Sequence, residues 1–78
     1  MRKELAIKQI YDDFKSKTIL TDNEEDILVR YIKNHSIIRI ANDTSQGTTT
    51  VSRTIAELKQ KYRNYKKLEL AKLLIFKR

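Results

Sequence analysis

The chain has no cysteine, no proline, one glycine and one histidine in 78 residues. Without cysteine, neither a disulfide framework nor a thiolate metal site can supplement the core, and His35 cannot hold a metal ion unless several carboxylates join it. Proline is absent, and β-branched residues nowhere alternate with polar ones over the length of a half-buried strand, so every segment favours helix. The longest apolar run, residues 73–76, falls far short of the roughly 20 residues a membrane span needs, and the opening residues 1–14 are charged throughout. A soluble, cytoplasmic protein without membrane contact is expected. Its length gives one domain, near the size at which a single apolar core only just offsets the entropy of ordering the chain.

Charge is what the sequence has in excess. The formal net charge is +7, and it is unevenly placed: residues 1–39 carry eight Lys/Arg against seven Asp/Glu, residues 40–78 nine against three. A basic half beside a balanced one suits a domain that turns one face to a polyanion, because phosphate neutralisation drives most sequence-independent affinity for nucleic acid. Small lysine-rich domains are also common, so charge by itself argues only weakly.

Periodicity divides the chain into helices. An amphipathic N-terminal helix is predicted within residues 1–17, clearest over 3–15, with Ile7, Ile10, Tyr11 and Phe14 on one stripe. Thr21 followed by Glu24 is a capping box, and Asp22, Glu24, Glu25 and Asp26 put negative charge at the positive dipole end of the next helix. That role accounts for the four acids, and no nucleophile, base or phosphate loop accompanies them, so catalysis is not expected. The helix they open buries Ile27, Leu28, Tyr31 and Ile32 and stops at Asn34, a residue that tolerates the left-handed conformation; His35 reads as a turn residue.

Ser36 can cap a third helix with Ile37, Ile40 and Ala41 inward. A turn follows at 44–48, where Gly47 supplies the positive φ such a corner can require. Thr48 or Thr49 caps a fourth helix over 48–62, burying Val51, Ile55, Leu58 and Tyr62. Its other face carries Thr49, Ser52, Arg53, Ala56, Lys59 and Gln60. Small side chains let a helix approach base edges, and an arginine in the second turn can donate a bidentate pair to guanine O6 and N7. After a short break at residues 63–66, a last helix over 66–77 bears Leu68, Leu70, Ala71, Leu73, Leu74, Ile75 and Phe76, more than one stripe of a monomer can hide.

From Leu20 to about Ile75 the chain resembles the LuxR/GerE type of DNA-binding domain. "LTDNEEDIL" is similar to that family's LTxxExxVL, "SIIRIA" to its SxxEIA, "TTTVSRTI" to its recognition helix, and "KYRNYKKLELAKLLI" to its KLxVxxRTEAVxxA ending, without a gap through residue 62. "TVSR" also occurs in LacI-type recognition helices in the same register, and region four of bacterial sigma factors has a similar pattern. Arg39 stands where the family has a capping Glu, Thr44 and Gln46 where it has apolar turn residues, and Gly47 where it has serine.

The resemblance implies a compact four-helix domain, usually a transcription regulator; with the N-terminal helix outside the match, an all-α bundle of four to five helices containing a helix-turn-helix is expected, without cofactor or metal. Base-contacting positions fall on Ser52, Arg53 and Ala56. Thr49 and Thr50 lie near the DNA backbone; Thr48, Lys59 and Gln60, read from the start and outer face of the helix, complete the expected DNA-binding set. The family's last helix often pairs across a two-fold axis, which implies a homodimer through Leu70, Leu73 and Leu74. Double-stranded DNA is the expected partner; the alternative is a sigma-factor-like module that contacts RNA polymerase or another regulator.

Overall fold

The capping box forms as its spacing requires. In the computed structural model, which describes residues 1–76 with side chains through residue 72, the Thr21 hydroxyl accepts from the Glu24 amide at 3.1 Å and the Glu24 carboxylate accepts from the Thr21 amide at 3.0 Å. This opens an eleven-residue helix, Asp22–Ile32. The chain is all-α, with five helices among the described residues: α1 (Arg2–Leu5), α2 (Lys8–Lys17), α3 (Asp22–Ile32), α4 (Ile37–Asp43) and α5 (Thr48–Phe76). α3, α4 and α5 pack mutually, while α1 leans on α3 and α2 on α5.

The core is one cluster: Leu5, Phe14, Ile27, Leu28, Ile40, Ala41, Val51, Ile55, Leu58 and Tyr62 are all buried. Phe14 sits at its aromatic end, edge-on to Tyr62 and Tyr65 with ring centroids 5.4 and 5.3 Å away. Such edge-to-face pairs add to the burial of the ring itself. Tyr31 and Ile32 are only half-buried against the cluster.

The N-terminal helix is not continuous. Ile7 is extended (φ −81°, ψ 118°) and separates α1 from α2. In an unbroken helix Leu5 and Phe14, nine residues apart, would point roughly 180° away from each other at 3.6 residues per turn. The break lets both enter the core, at 2% and 0% exposure, and leaves Ile7 52% exposed although it fits the stripe of Ile10, Tyr11 and Phe14. Ile37 is likewise at the surface of α4 instead of inward.

The second correction concerns the C-terminal half. No break follows Tyr62: α5 runs for 29 residues, through the segment expected to separate a recognition helix from a last helix. Residues 63–66 contain neither glycine nor proline, so the backbone bears little penalty for continuing. Contacts within the helix and across the bundle then reward it. Gln60 accepts from Arg63 at 2.9 Å and donates to Asn64 at 3.2 Å, the Tyr65 ring packs on Phe14, and Lys66 reaches Glu4 at 3.1 Å. At about 1.5 Å per residue the helix gives the molecule its long axis, 49 Å against 20 and 17 Å.

The third correction is at Gly47, which does not have positive φ; among the described residues the two with positive φ are Asn34 (72°) and Ser45 (55°). Asn34 closes α3 as its type suggests. The corner between α4 and α5 is carried by Ser45, and Gly47 immediately precedes α5, its carbonyl accepting from the Val51 amide at 3.1 Å. Polar residues hold this corner in place of apolar ones. Gln46 and Asn23 exchange amide hydrogen bonds at 2.9 and 3.2 Å, tying the turn to the start of α3, and the Thr44 hydroxyl donates to the Ile40 carbonyl at 2.6 Å.

Candidate nucleic-acid interface

α5 is seated on the bundle by Val51, Thr54, Ile55, Leu58 and Tyr62, all buried. Thr54 is the polar member, and its hydroxyl satisfies itself on the Thr50 carbonyl at 3.0 Å. The opposite face of the helix is therefore the outward one. Thr48, Thr49, Thr50, Ser52, Arg53, Ala56, Lys59 and Gln60 are all exposed there or on its flanks. Thr49, Arg53, Ala56 and Gln60 follow one another at intervals of three and four and make a single stripe. No acidic side chain interrupts it; Glu57 lies at its edge.

The continuity of α5 lengthens this stripe. Arg63 and Lys67 follow Gln60 at the same intervals and are exposed. The expected break after Tyr62 would have set them outside the helix that carries Arg53, although their spacing from Arg53 is visible in the sequence. Arg53, Lys59, Arg63 and Lys67 form no ion pair among the described residues. Of the three acids of the same half, Asp43 is paired with Arg30 at 3.3 Å and Arg39 at 3.7 Å and Glu69 with Lys17 at 2.9 Å, while Glu57 is exposed at the edge of the stripe.

Contacts beneath the stripe hold α5 to the bundle. Lys61, on the bundle side of α5, donates to the Ile19 carbonyl at 3.1 Å and to Glu24 at 2.8 Å. Burial alone would raise the Glu24 carboxyl, but the Lys61 ammonium and the Thr21 cap outweigh it and hold the group below its ordinary range. The residue that caps α3 thus also anchors α5. Glu25 pairs with Lys15 and Asp26 with Arg30, so three of the four acids at the start of α3 are bound within the bundle.

Of the three leucines expected at a dimer contact, Leu70 is 58% exposed, and Leu68 beside it is 65% exposed. The side chains of Leu73 and Leu74 lie outside the described residues. Among the described residues there is no grouping of three or more His, Cys, Asp or Glu side chains able to hold a metal ion, and no helix is long and apolar enough to cross a membrane. His35 is half-buried between α3 and α4, with its Nδ1 lacking a hydrogen-bond partner.

Comparison with protein-family models, curated proteins and solved structures finds no match to this chain.

Proposed function

We propose that the protein is a sequence-specific DNA-binding transcription regulator that uses α4, the 44–47 corner and α5 as a helix-turn-helix. The observation that carries this reading is the outward stripe of α5: small, hydroxylated and basic residues without an acid among them, on a helix whose other face is fixed in the core. Arg53 is the base-reading residue, donating to guanine in the major groove, while Ser52 and Ala56 keep the approach close. Thr48, Thr49 and Thr50 hold phosphate with their hydroxyls and with the unpaired amides of the first helical turn. Lys59 and Gln60 contact the backbone further along. The resemblance of residues 20–75 to LuxR/GerE domains adds to this reading, and nothing in it calls for a cofactor or for catalysis.

Exposed Leu68 and Leu70 support the accompanying proposal of a homodimer through the end of α5. A symmetric dimer would present two recognition helices and prefer a near-palindromic site. A second reading draws on α4, where Ile38 is 67% and Ile37 37% exposed: an apolar step of this kind suits a protein-interaction module, for example one contacting RNA polymerase or another regulator.

Selection of binding sequences from random duplexes, followed by affinity measurements across a salt series, separates the two. A DNA regulator enriches a defined motif and loses affinity log-linearly with salt. Absence of any enriched motif, together with affinity for an acidic protein partner that changes little with salt, would replace the DNA reading by the interaction module.

A further inference from the structure

α1 forms a groove against one flank of α5. Met1, Glu4, Lys59, Tyr62, Arg63 and Lys66 line a cavity of about 310 Å³. It shares Met1, Glu4 and Lys59 with an adjoining cavity of about 480 Å³ that reaches Arg2, Lys3 and Tyr31. The combined cleft holds five cationic side chains and one carboxylate. Arg2 is engaged, its guanidinium 4.3 Å over the Tyr31 ring and donating to Asn34. Glu4 is engaged as well, accepting from the Tyr62 hydroxyl and from Lys66 at 3.1 Å. Lys3, Lys59 and Arg63 have no carboxylate among the described residues.

Like charges gathered in a cleft with low-dielectric walls focus their field outward and attract an anion. The opposite flank of α5 is different in kind: Glu57, Asn64 and Leu68 are exposed there. A polyanion lying on α5 is therefore drawn towards the α1 side. Arg63 follows Arg53 by ten positions, about 15 Å along the helix axis. The major groove of duplex DNA is about 12 Å wide, so in a helix that crosses it with Arg53 at a base edge, the cleft lies beyond the groove, on the side of the flanking backbone.

We infer that the cleft between α1 and α5 is a second phosphate-binding site, in which Lys3, Arg63 and Lys59 take backbone phosphates of the strand flanking the groove that α5 reads. This inference rests on the DNA-binding reading and adds α1 to the interface.

The test is a salt series on the duplex selected by the wild-type protein, comparing Lys3→Ala, which leaves the α5 stripe intact, with a control that removes the same charge, Lys8→Ala, on an exposed position of α2. Thermal melts of all three proteins check that the fold is kept. The cleft variant should show a slope of log affinity against log salt shallower by about 0.9 for each phosphate it no longer neutralises. Its preference for the selected duplex over random duplex should be unchanged, and the control should keep the wild-type slope. A cleft variant with the wild-type slope, or one no different from the control, overturns the second site and leaves the α5 reading standing. A wild-type protein that binds no duplex at all removes both.

Discussion

The Tyr62 hydroxyl donates to the Glu4 carboxylate across 58 positions of sequence, and Tyr65 repeats the arrangement with Asp13 across 52. Two tyrosines one turn apart on α5 thus help to hold α1 and α2, alongside the ion pairs Lys66–Glu4 and Lys17–Glu69. Each bond also separates the titrations of its partners. The tyrosine bonds hold Glu4 and Asp13 below their ordinary values of 4.5 and 3.8. Burial, then the Glu4 bond, pushes Tyr62 well above 10.0, and the Asp13 bond pushes Tyr65 up to about 12.

The stability these bonds contribute should therefore be lost at both ends of the pH scale. For the carboxyls, whose folded values are depressed, the contribution is present above 4.5 and 3.8 and disappears as pH falls through the lower folded values. For the tyrosines, whose folded values are raised, it is complete below 10.0 and disappears as pH rises through the folded values. Urea midpoints measured across pH should form a plateau with two falling edges, and Tyr62→Phe/Tyr65→Phe should flatten both. Unaltered edges in the double variant would assign them to other groups.

Phe14 is completely buried between Tyr62 and Tyr65. Phe14→Ala should cost about 3–5 kcal/mol in chemical denaturation, because the edge-to-face packing disappears together with the burial of the ring. In a domain this small that is a large part of the total. A destabilisation below about 1 kcal/mol would mean that α2 is not docked as described.

The corner between α4 and α5 has its glycine two positions from the strained residue. Ser45 has φ 55°, whereas an added Cβ at Gly47 meets nothing nearer than the Thr50 Oγ1 at 4.0 Å. Ser45→Gly should relieve up to about 1 kcal/mol of left-handed strain, less the entropy glycine adds to the unfolded chain. Gly47→Ser should add a few tenths of a kcal/mol by supplying a capping hydroxyl. The double variant is expected to melt at a higher temperature than the wild type. If instead Gly47→Ser lowers the melting temperature substantially, the φ assignments at the corner are reversed.

Arg53 and Lys59 should differ in the kind of defect they cause. Arg53→Ala should cost about 1–3 kcal/mol on the selected duplex and erase discrimination at one base position. Lys59→Ala should weaken selected and random duplexes alike and reduce the salt slope by about 1. Competition binding against single-base variants of the site reads both effects. Equal weakening on all sequences for Arg53→Ala would remove it from base reading.

Leu70→Glu tests the dimer, since Leu70 is exposed on α5 and its substitution leaves the core untouched. Sedimentation of the wild type should show a dimer, alone or on its selected site, and the variant should be a folded monomer with weakened binding to a palindrome. A wild type that is monomeric in both states would exclude pairing through this helix.

Local signals in the sequence determined the elements with short-range causes. The Thr21–Glu24 box, the Ser36 cap and the left-handed Asn34 each depend on residues within a few positions, so their residue types suffice to specify them. The same holds for the face of α5 that carries Arg53: its period is local, and Val51, Ile55, Leu58 and Tyr62 define the buried side without knowledge of what covers it.

Tertiary structure decided three things that no local pattern could. α1 and α2 separate at Ile7 because Leu5 and Phe14 must reach one core, a requirement between residues and a third partner that the stripe of Ile7, Ile10, Tyr11 and Phe14 conceals. α5 continues past Tyr62 because Phe14, Glu4 and Lys17 reward Tyr65, Lys66 and Glu69 from across the bundle, while residues 63–66 contain neither glycine nor proline to end it. And Lys3 and Arg63 come to adjoining cavities because α1 is held on the bundle, by Leu5 in the core and by Glu4 accepting from Tyr62 and Lys66. Helical propensity is a sum over neighbours in sequence, whereas a break, a continuation or a charge cluster is settled by neighbours in space, where a few contacts outweigh the small differences in local preference.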